Sequence, residues 1–229
     1  MSLFSIADLH LSFSQDKPMD IFGGWWVNHT ETLSAHWLSG ITDADTIIIP
    51  GDISWALKLE EAKADLDWLE AMPGKKVLVK GNHDLWWTSI QKLKDLYKSI
   101  TFIQNSCAVY EDYALCGTRG WLCPGESGFD SHDEKIYRRE LGRLELSLKS
   151  AKARGFSRII GILHYPPTNE KLEGSGFTEL FEAYGVSKVV YGHLHGEEAF
   201  KYGIQGERNG VSYHLAACDY LACEPLKLL

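Results

Sequence analysis

Five short apolar, β-branched runs in this chain each lead into a residue able to bind a metal ion. They are residues 3–10 (LFSIADLH), 46–52 (TIIIPGD), 76–84 (KVLVKGNHD), 158–164 (RIIGILH) and 188–195 (KVVYGHLH). Each run reads as a buried strand. Behind these strands stand Asp8 and His10, Asp52, Asn82 with His83 and Asp84, His164, and His193 with His195. In open α/β sheets, residues just past the carboxyl ends of parallel strands converge on one crevice. Eight or nine oxygen and nitrogen donors meeting at one edge are too many for a single ion and suit a pair. The pattern points to a two-metal hydrolase.

The segments between the runs set the fold class. Helices are expected at about 29–40, 58–71 and 88–98, between strands at 46–49 and 76–79. Leu59, Ala62, Leu66 and Leu69 make one apolar helical face. Asn28 and Thr30 are candidate caps for the helix at 29–40. Alternating strand and helix favours a parallel sheet with covering helices. Beyond residue 100 the pattern is more mixed. Short strands are expected at 100–103 and 107–117, helices at 133–154 and 177–184, and strands at 158–163 and 188–191. Residues 197–218 read as antiparallel strands with turns near Gly206 and at Asn209–Gly210. Residues 117–132 have no periodicity, and such a long loop is expected to set specificity. The expected architecture is α/β: two mixed β-sheets packed as a sandwich and flanked by helices, in a single domain over residues 1–229.

Bulk properties narrow the partners. The net charge of −8 disfavours nucleic acid and anionic membranes, so a nuclease is the weaker reading. No apolar run reaches membrane-spanning length, and no secretion-type segment precedes Leu3. A cytoplasmic location is expected. The five cysteines include no CxxC pair, so they are expected to be reduced and buried; a Cys107–Cys116 bridge is the alternative.

The spacings explain the chemistry. In Asp8-Leu9-His10 and His193-Leu194-His195, residues two apart share a face of an extended segment, so each pair can grip one ion. Asp52 follows Gly51, where a carboxylate can offer one oxygen to each of two ions. Asn82 adds a neutral amide oxygen, and His164 another imidazole. With no thiolate, the set suits Mn²⁺ first, or Fe or Zn²⁺. Two divalent ions against Asp8 and Asp52 leave positive charge for a phosphate anion, and a bridging water becomes a nucleophile near neutral pH. His83 can protonate a departing alkoxide. Asp84 can orient a neighbouring imidazole.

Asp8-x-His10, Gly51-Asp52, Gly81-Asn82-His83-Asp84, His164 and Gly192-His193-x-His195 resemble, in order, the calcineurin-like metallophosphoesterase superfamily. Single blocks are weak, whereas all five in sequence are specific. The resemblance implies one ion on Asp8, His10, Asp52 and His195, and another on Asp52, Asn82, His164 and His193. It implies Asp52 as the bridge and His83 beside the leaving group, with a bridging hydroxide attacking a small phosphate monoester or diester. The chain departs from the family pattern at Trp55, where an acidic or amide residue usually pairs with the catalytic histidine. The resemblance therefore does not extend to a protein-phosphatase dyad, and it leaves open what orients His83.

Three further readings complete the expectations. Arg119 is a candidate phosphate clamp, with a salt-bridged surface role as the alternative. Trp55, Trp86, Trp87 and Trp121 either line a pocket that stacks a flat leaving group such as a nucleotide base, or pack the core. The rival functional class is a non-catalytic metal-binding scaffold for protein–protein interaction.

Overall fold

The computed structural model describes residues 1–229. In chain order its elements are β1 (Leu3–Ser5), α1 (His29–Gly40), β2 (Thr46–Ile49), α2 (Leu59–Ala71), β3 (Lys75–Leu78), α3 (Ile90–Leu93), β4 (Ile100–Phe102), β5 (Cys107–Tyr110) and β6 (Tyr113–Thr118). They continue with α4 (Ser131–Ala153), β7 (Arg158–Leu163), α5 (Gly176–Tyr184), β8 (Val186–Tyr191), α6 (Glu197–Phe200), β9 (Gly206–Arg208), β10 (Val211–Leu215) and β11 (Leu226–Lys227).

Two mixed sheets form. The first has the order β11-β1-β2-β3-β4, with β1 to β4 parallel and β11 antiparallel. The second has the order β5-β6-β7-β8-β10-β9, a parallel centre with antiparallel edges. Side-chain alternation along a strand explains the layering. In β2, Ile48 points into the core between the sheets, with Leu3, Val77, Leu115 and Ile160. Its neighbours Ile47 and Ile49 point the other way, against Leu33, Trp37, Leu66 and Leu69 from α1 and α2. On the far side, Ile159 and Val189 meet Leu144, Leu148, Phe177 and Phe181 from α4 and α5. Both faces of each sheet are thus buried, which is why the strands read as unbroken apolar runs. Each fully buried aliphatic side chain contributes roughly 1.5–3 kcal/mol.

Several details differ from expectation. The helix expected at 88–98 is the single turn α3, because Glu70 of α2 captures the backbone N–H groups of Lys98 and Ser99 at 3.0 and 3.1 Å. Asn28 does not cap α1 through its side chain; it is left-handed, and its carbonyl accepts from the Thr32 hydroxyl at 3.1 Å. α4 begins at Ser131, where Asp130 accepts from the N–H groups of His132 and Asp133. In the tail only β9 and β10 form an antiparallel hairpin; β10 runs parallel to β8, and residues 197–200 are helical. All five cysteines are buried and unbridged, although Cys107 and Cys116 are register partners.

Candidate metal centre

β1, β2, β3, β7 and β8 all point their carboxyl ends at the same rim of the sandwich, and the candidate metal-binding side chains follow there. The backbone turns sharply to aim them inward. Asp8, His10, Asp52 and His193 have φ of 59°, 43°, 50° and 74°. Non-glycine residues rarely adopt such conformations, and their clustering marks a site where surrounding structure imposes strain. Two glycines permit the close approach: a Cβ at Gly81 would overlap Asp52, and one at Gly192 would overlap the Asp8 carboxylate.

The side chains fall into two neighbouring groups. His10 Nε2 lies 3.4 Å from His195 Nε2 and 3.9 Å from Asp52 Oδ2, and His195 Nε2 lies 3.7 Å from Asp8 Oδ1. In the second group, His164 Nε2 is 2.6 Å from Asn82 Oδ1, 3.2 Å from His193 Nδ1 and 3.5 Å from Asp52 Oδ2. His193 Nδ1 is 2.9 Å from Asn82 Oδ1. All seven sequence-expected ligands are therefore brought together. Asp8 reaches further than expected: its Oδ1 is also 3.7 Å from His164 Nδ1. It groups with His10 and His195 and also with Asp52 and His164.

His164 Nδ1–H donates to the Pro50 carbonyl at 2.9 Å, which leaves the Nε2 lone pair facing the second group. His195 Nδ1–H donates to Asp219 at 3.1 Å, which turns its Nε2 toward His10. Ring nitrogens thus face each other across 3.2–3.4 Å, beside two buried carboxylates. Burial, with Asp52 beside it, holds Asp8 well above the usual carboxylate range. Burial holds His10 and His193 well below the usual imidazole range and takes His164 down to about 3. Burial also opposes charge on His195, but Asp8, Asp219 and Asp52 outweigh it and raise it to about 9. Four imidazoles, two carboxylates and an amide oxygen converging in one buried cluster are a donor set that fits divalent metal.

The remaining expected residues fare differently. His83 is exposed and packs on Trp55, ring centroids 4.4 Å apart. Trp55 also stacks on His10 at 4.7 Å, so an indole stands where the family pattern places a hydrogen-bonding partner. Asp84 does not reach an imidazole. Its buried carboxylate accepts from the N–H groups of Ile53, Ser54 and Gly81 at 2.9, 3.2 and 2.7 Å, and from the Trp86 indole at 3.0 Å. It fastens the Asp52 loop to the Asn82 loop. Burial and the nearby Asp52 push it up to about 7, against those four donors. Arg119 lies outside the ligand cluster; its guanidinium packs on Trp121 and sits 3.6 Å from the buried Glu140.

A cavity of about 600 Å³ opens beside the cluster, within the ordinary range for small-molecule sites. Its walls include His10, His83, His195, Trp25, Trp26 and Trp55. The loop at 12–27 therefore builds the mouth, rather than the expected 117–132. Of the four tryptophans considered, only Trp55 lines this cavity. Trp86 is core, Trp87 faces another cavity, and Trp121 donates to Asp133 at 3.0 Å. Asp219 was not anticipated, although a signal existed: residues 213–219 (YHLAACD) repeat the pattern of an apolar strand ending in a carboxylate. Tyr165, whose ring packs 4.0 Å from His193, follows His164 directly.

Residues 1–197 match the calcineurin-like phosphoesterase family, and the chain belongs to it. The family is one of hydrolases acting on phosphate esters. No curated protein matches the sequence. Among solved structures, a phosphopantetheinyl hydrolase from Mycobacterium tuberculosis is 14% identical at a TM-score of 0.61, covering 100% of this chain and 95% of that one. A protein of unknown function from Aquifex aeolicus is 15% identical at 0.53, covering 99% and 95%. The TT1561 protein of Thermus thermophilus is 15% identical at 0.52, covering 84% and 81%. These likenesses establish the shared fold. No helix is long and apolar enough to cross a membrane.

Proposed function

We propose that this protein hydrolyses a small phosphate monoester or diester at a pair of divalent metal ions, with Mn²⁺ the preferred metal. The observation that carries the reading is the pair of facing imidazole sets, His10 with His195 and His164 with His193, on either side of the Asp8 and Asp52 carboxylates. Asp8, His10, Asp52 and His195 would hold one ion, and Asp52, Asn82, His164 and His193 the other. Bound there, the metals would supply Lewis acidity toward a phosphoryl oxygen and a water acidic enough to attack phosphorus near neutral pH.

The chain's own residues do the rest. Asp219 and the Pro50 carbonyl fix the tautomers of His195 and His164, so each offers its Nε2. His83 lines the cavity and can hand a proton to the departing oxygen. Trp55 fixes the plane of His83 by packing. The aromatic walls of Trp25, Trp26 and Trp55 suit a flat or apolar leaving group, a nucleotide among them. The whole chain acts as one domain, since the segment beyond residue 197 supplies β10, Asp219 and one edge strand of each sheet.

The test is hydrolysis of paired aryl phosphate monoester and diester substrates, with Mn²⁺ and with chelator, for wild type and Asp52→Asn. Metal-dependent turnover lost in the variant is the expected result. Equal turnover in the variant, or turnover indifferent to chelator, would rule the proposal out.

A further inference from the structure

A second cavity, of about 370 Å³, lies along the same rim. Its walls follow β3, which also leads to Asn82, and the neighbouring strands β4 and β6. Lys80, Arg119, Arg139 and Arg143 line it, with Glu140 as the one carboxylate. This is an unusual concentration of positive charge on a chain whose net charge is −8. Thr88 and Ser89 add hydroxyl donors to the walls.

Neutralising Glu140 does not account for four cations. The Glu140 carboxylate is satisfied by the Thr118 hydroxyl at 2.6 Å and Arg143 at 2.8 Å. Arg139 and Arg119 stand further off, at 3.4 and 3.6 Å, and Lys80 is not among its ion-pair partners. Arg119 Nε is buried with no hydrogen-bond acceptor at all. A buried donor left unmet costs about 1–3 kcal/mol, which an incoming acceptor would recover. Arg139 and Arg143 are also spaced four apart on α4, an arrangement of like charges that disfavours a helix. Converging guanidinium and ammonium groups with hydroxyl donors are the chemistry that recognises phosphoryl oxygens.

We propose that this cavity is an anion-binding site, separate from the metal centre, that takes a phosphate or phosphomonoester group. Arg119 supplies its buried Nε–H, Arg139 and Arg143 close it from α4, and Lys80 adds a point charge from the β3 side. The walls connect it to the centre: Lys80 precedes Gly81-Asn82, and the Arg119 carbonyl accepts the N–H groups of His164 and Tyr165 at 2.9 Å each.

The experiment is equilibrium dialysis of metal-loaded protein against radiolabelled inorganic phosphate. Wild type is expected to bind two phosphates per chain. Arg139→Gln combined with Arg143→Gln should lose one of them. Lys80→Gln should weaken that same site about tenfold, the effect of one charge-assisted contact. Circular dichroism checks the fold of the double variant, which loses partners of Glu140. Lys80→Gln keeps every Glu140 pair, so it tests the proposal even if the double variant fails to fold. A wild type that binds no phosphate, or variants that bind as wild type does, would overturn the proposal.

Discussion

Replacing Asp84 separates a structural clamp from a catalytic carboxylate. The side chain is fully buried and accepts from four donors, three backbone N–H groups and one indole. Asp84→Ala leaves all four without that acceptor. At ~1–3 kcal/mol for each buried unmet donor, the loss is ~4–12 kcal/mol. That rivals the ~5–15 kcal/mol that holds a typical protein folded, so this variant should not accumulate as soluble native protein. Asp84→Asn is milder. Its remaining oxygen can serve Ile53, Ser54 and Trp86, while its amide group faces the Gly81 N–H. One lost bond and one donor–donor contact cost about 2 kcal/mol, or a Tm lower by about 4–8 °C for a chain of this size. Thermal unfolding by circular dichroism measures the shift. Metal content and turnover of Asp84→Asn, assayed well below its Tm, should stay within a few-fold of wild type. An alanine variant with wild-type Tm would refute the clamp, and an asparagine variant with native Tm but no turnover would restore a catalytic role.

Three further outcomes are expected. Asp219→Ala frees the His195 ring, and metal affinity measured by competition with a chromophoric chelator should fall about 10–100-fold; unchanged affinity would show that Asp219 does not position the ligand. Trp55→Ala removes the face on which His83 and His10 pack, so kcat should drop with metal still bound, and a KM-only change would assign Trp55 to substrate binding alone. Lys76 is buried, and its ammonium donates to the Met72 carbonyl and to Ser99; burial lowers it to about 8. The folded state therefore releases this proton before the unfolded state does. The penalty for burying the charge is complete below about pH 8 and fades as pH rises toward the ordinary lysine value near 10.4. Lys76→Met should be more stable than wild type by about 1–3 kcal/mol at pH 7.5 in urea unfolding, with the gap closing by pH 10; a gap independent of pH would contradict the assignment.

The sequence made the candidate ligand set legible because each of its residues sits at a fixed offset from a doubly buried strand. Those strands are long apolar runs, and the topology of parallel strands brings their ends together without further information. Apolar residues at helical spacing located α2 and α4, whereas α1 was placed from candidate caps, of which Asn28 does not cap through its side chain. What failed depended on contacts between distant segments. α3 is one turn because Glu70 captures the chain beyond it. Asp84 binds backbone groups rather than an imidazole, which its position in GNHD does not encode. Trp25 and Trp26 line the cavity instead of Trp86, Trp87 and Trp121 because a loop with no periodicity folds back over the rim. Asp219 carried the same strand-end signature as the candidate ligands, but its strand, β10, is parallel to β8 only through a crossover that the hairpin signal at Asn209–Gly210 obscured.

The proposed hydrolysis requires two divalent ions held by seven side chains, with Asp52 shared between them. Counting bound metal per chain by mass spectrometry, after loading with Mn²⁺ and removing the excess, tests this most directly. Two ions per wild-type chain, falling to one or none in Asp52→Asn, is the predicted result. A wild type that retains at most one ion, or an Asp52→Asn variant that keeps both, would contradict it.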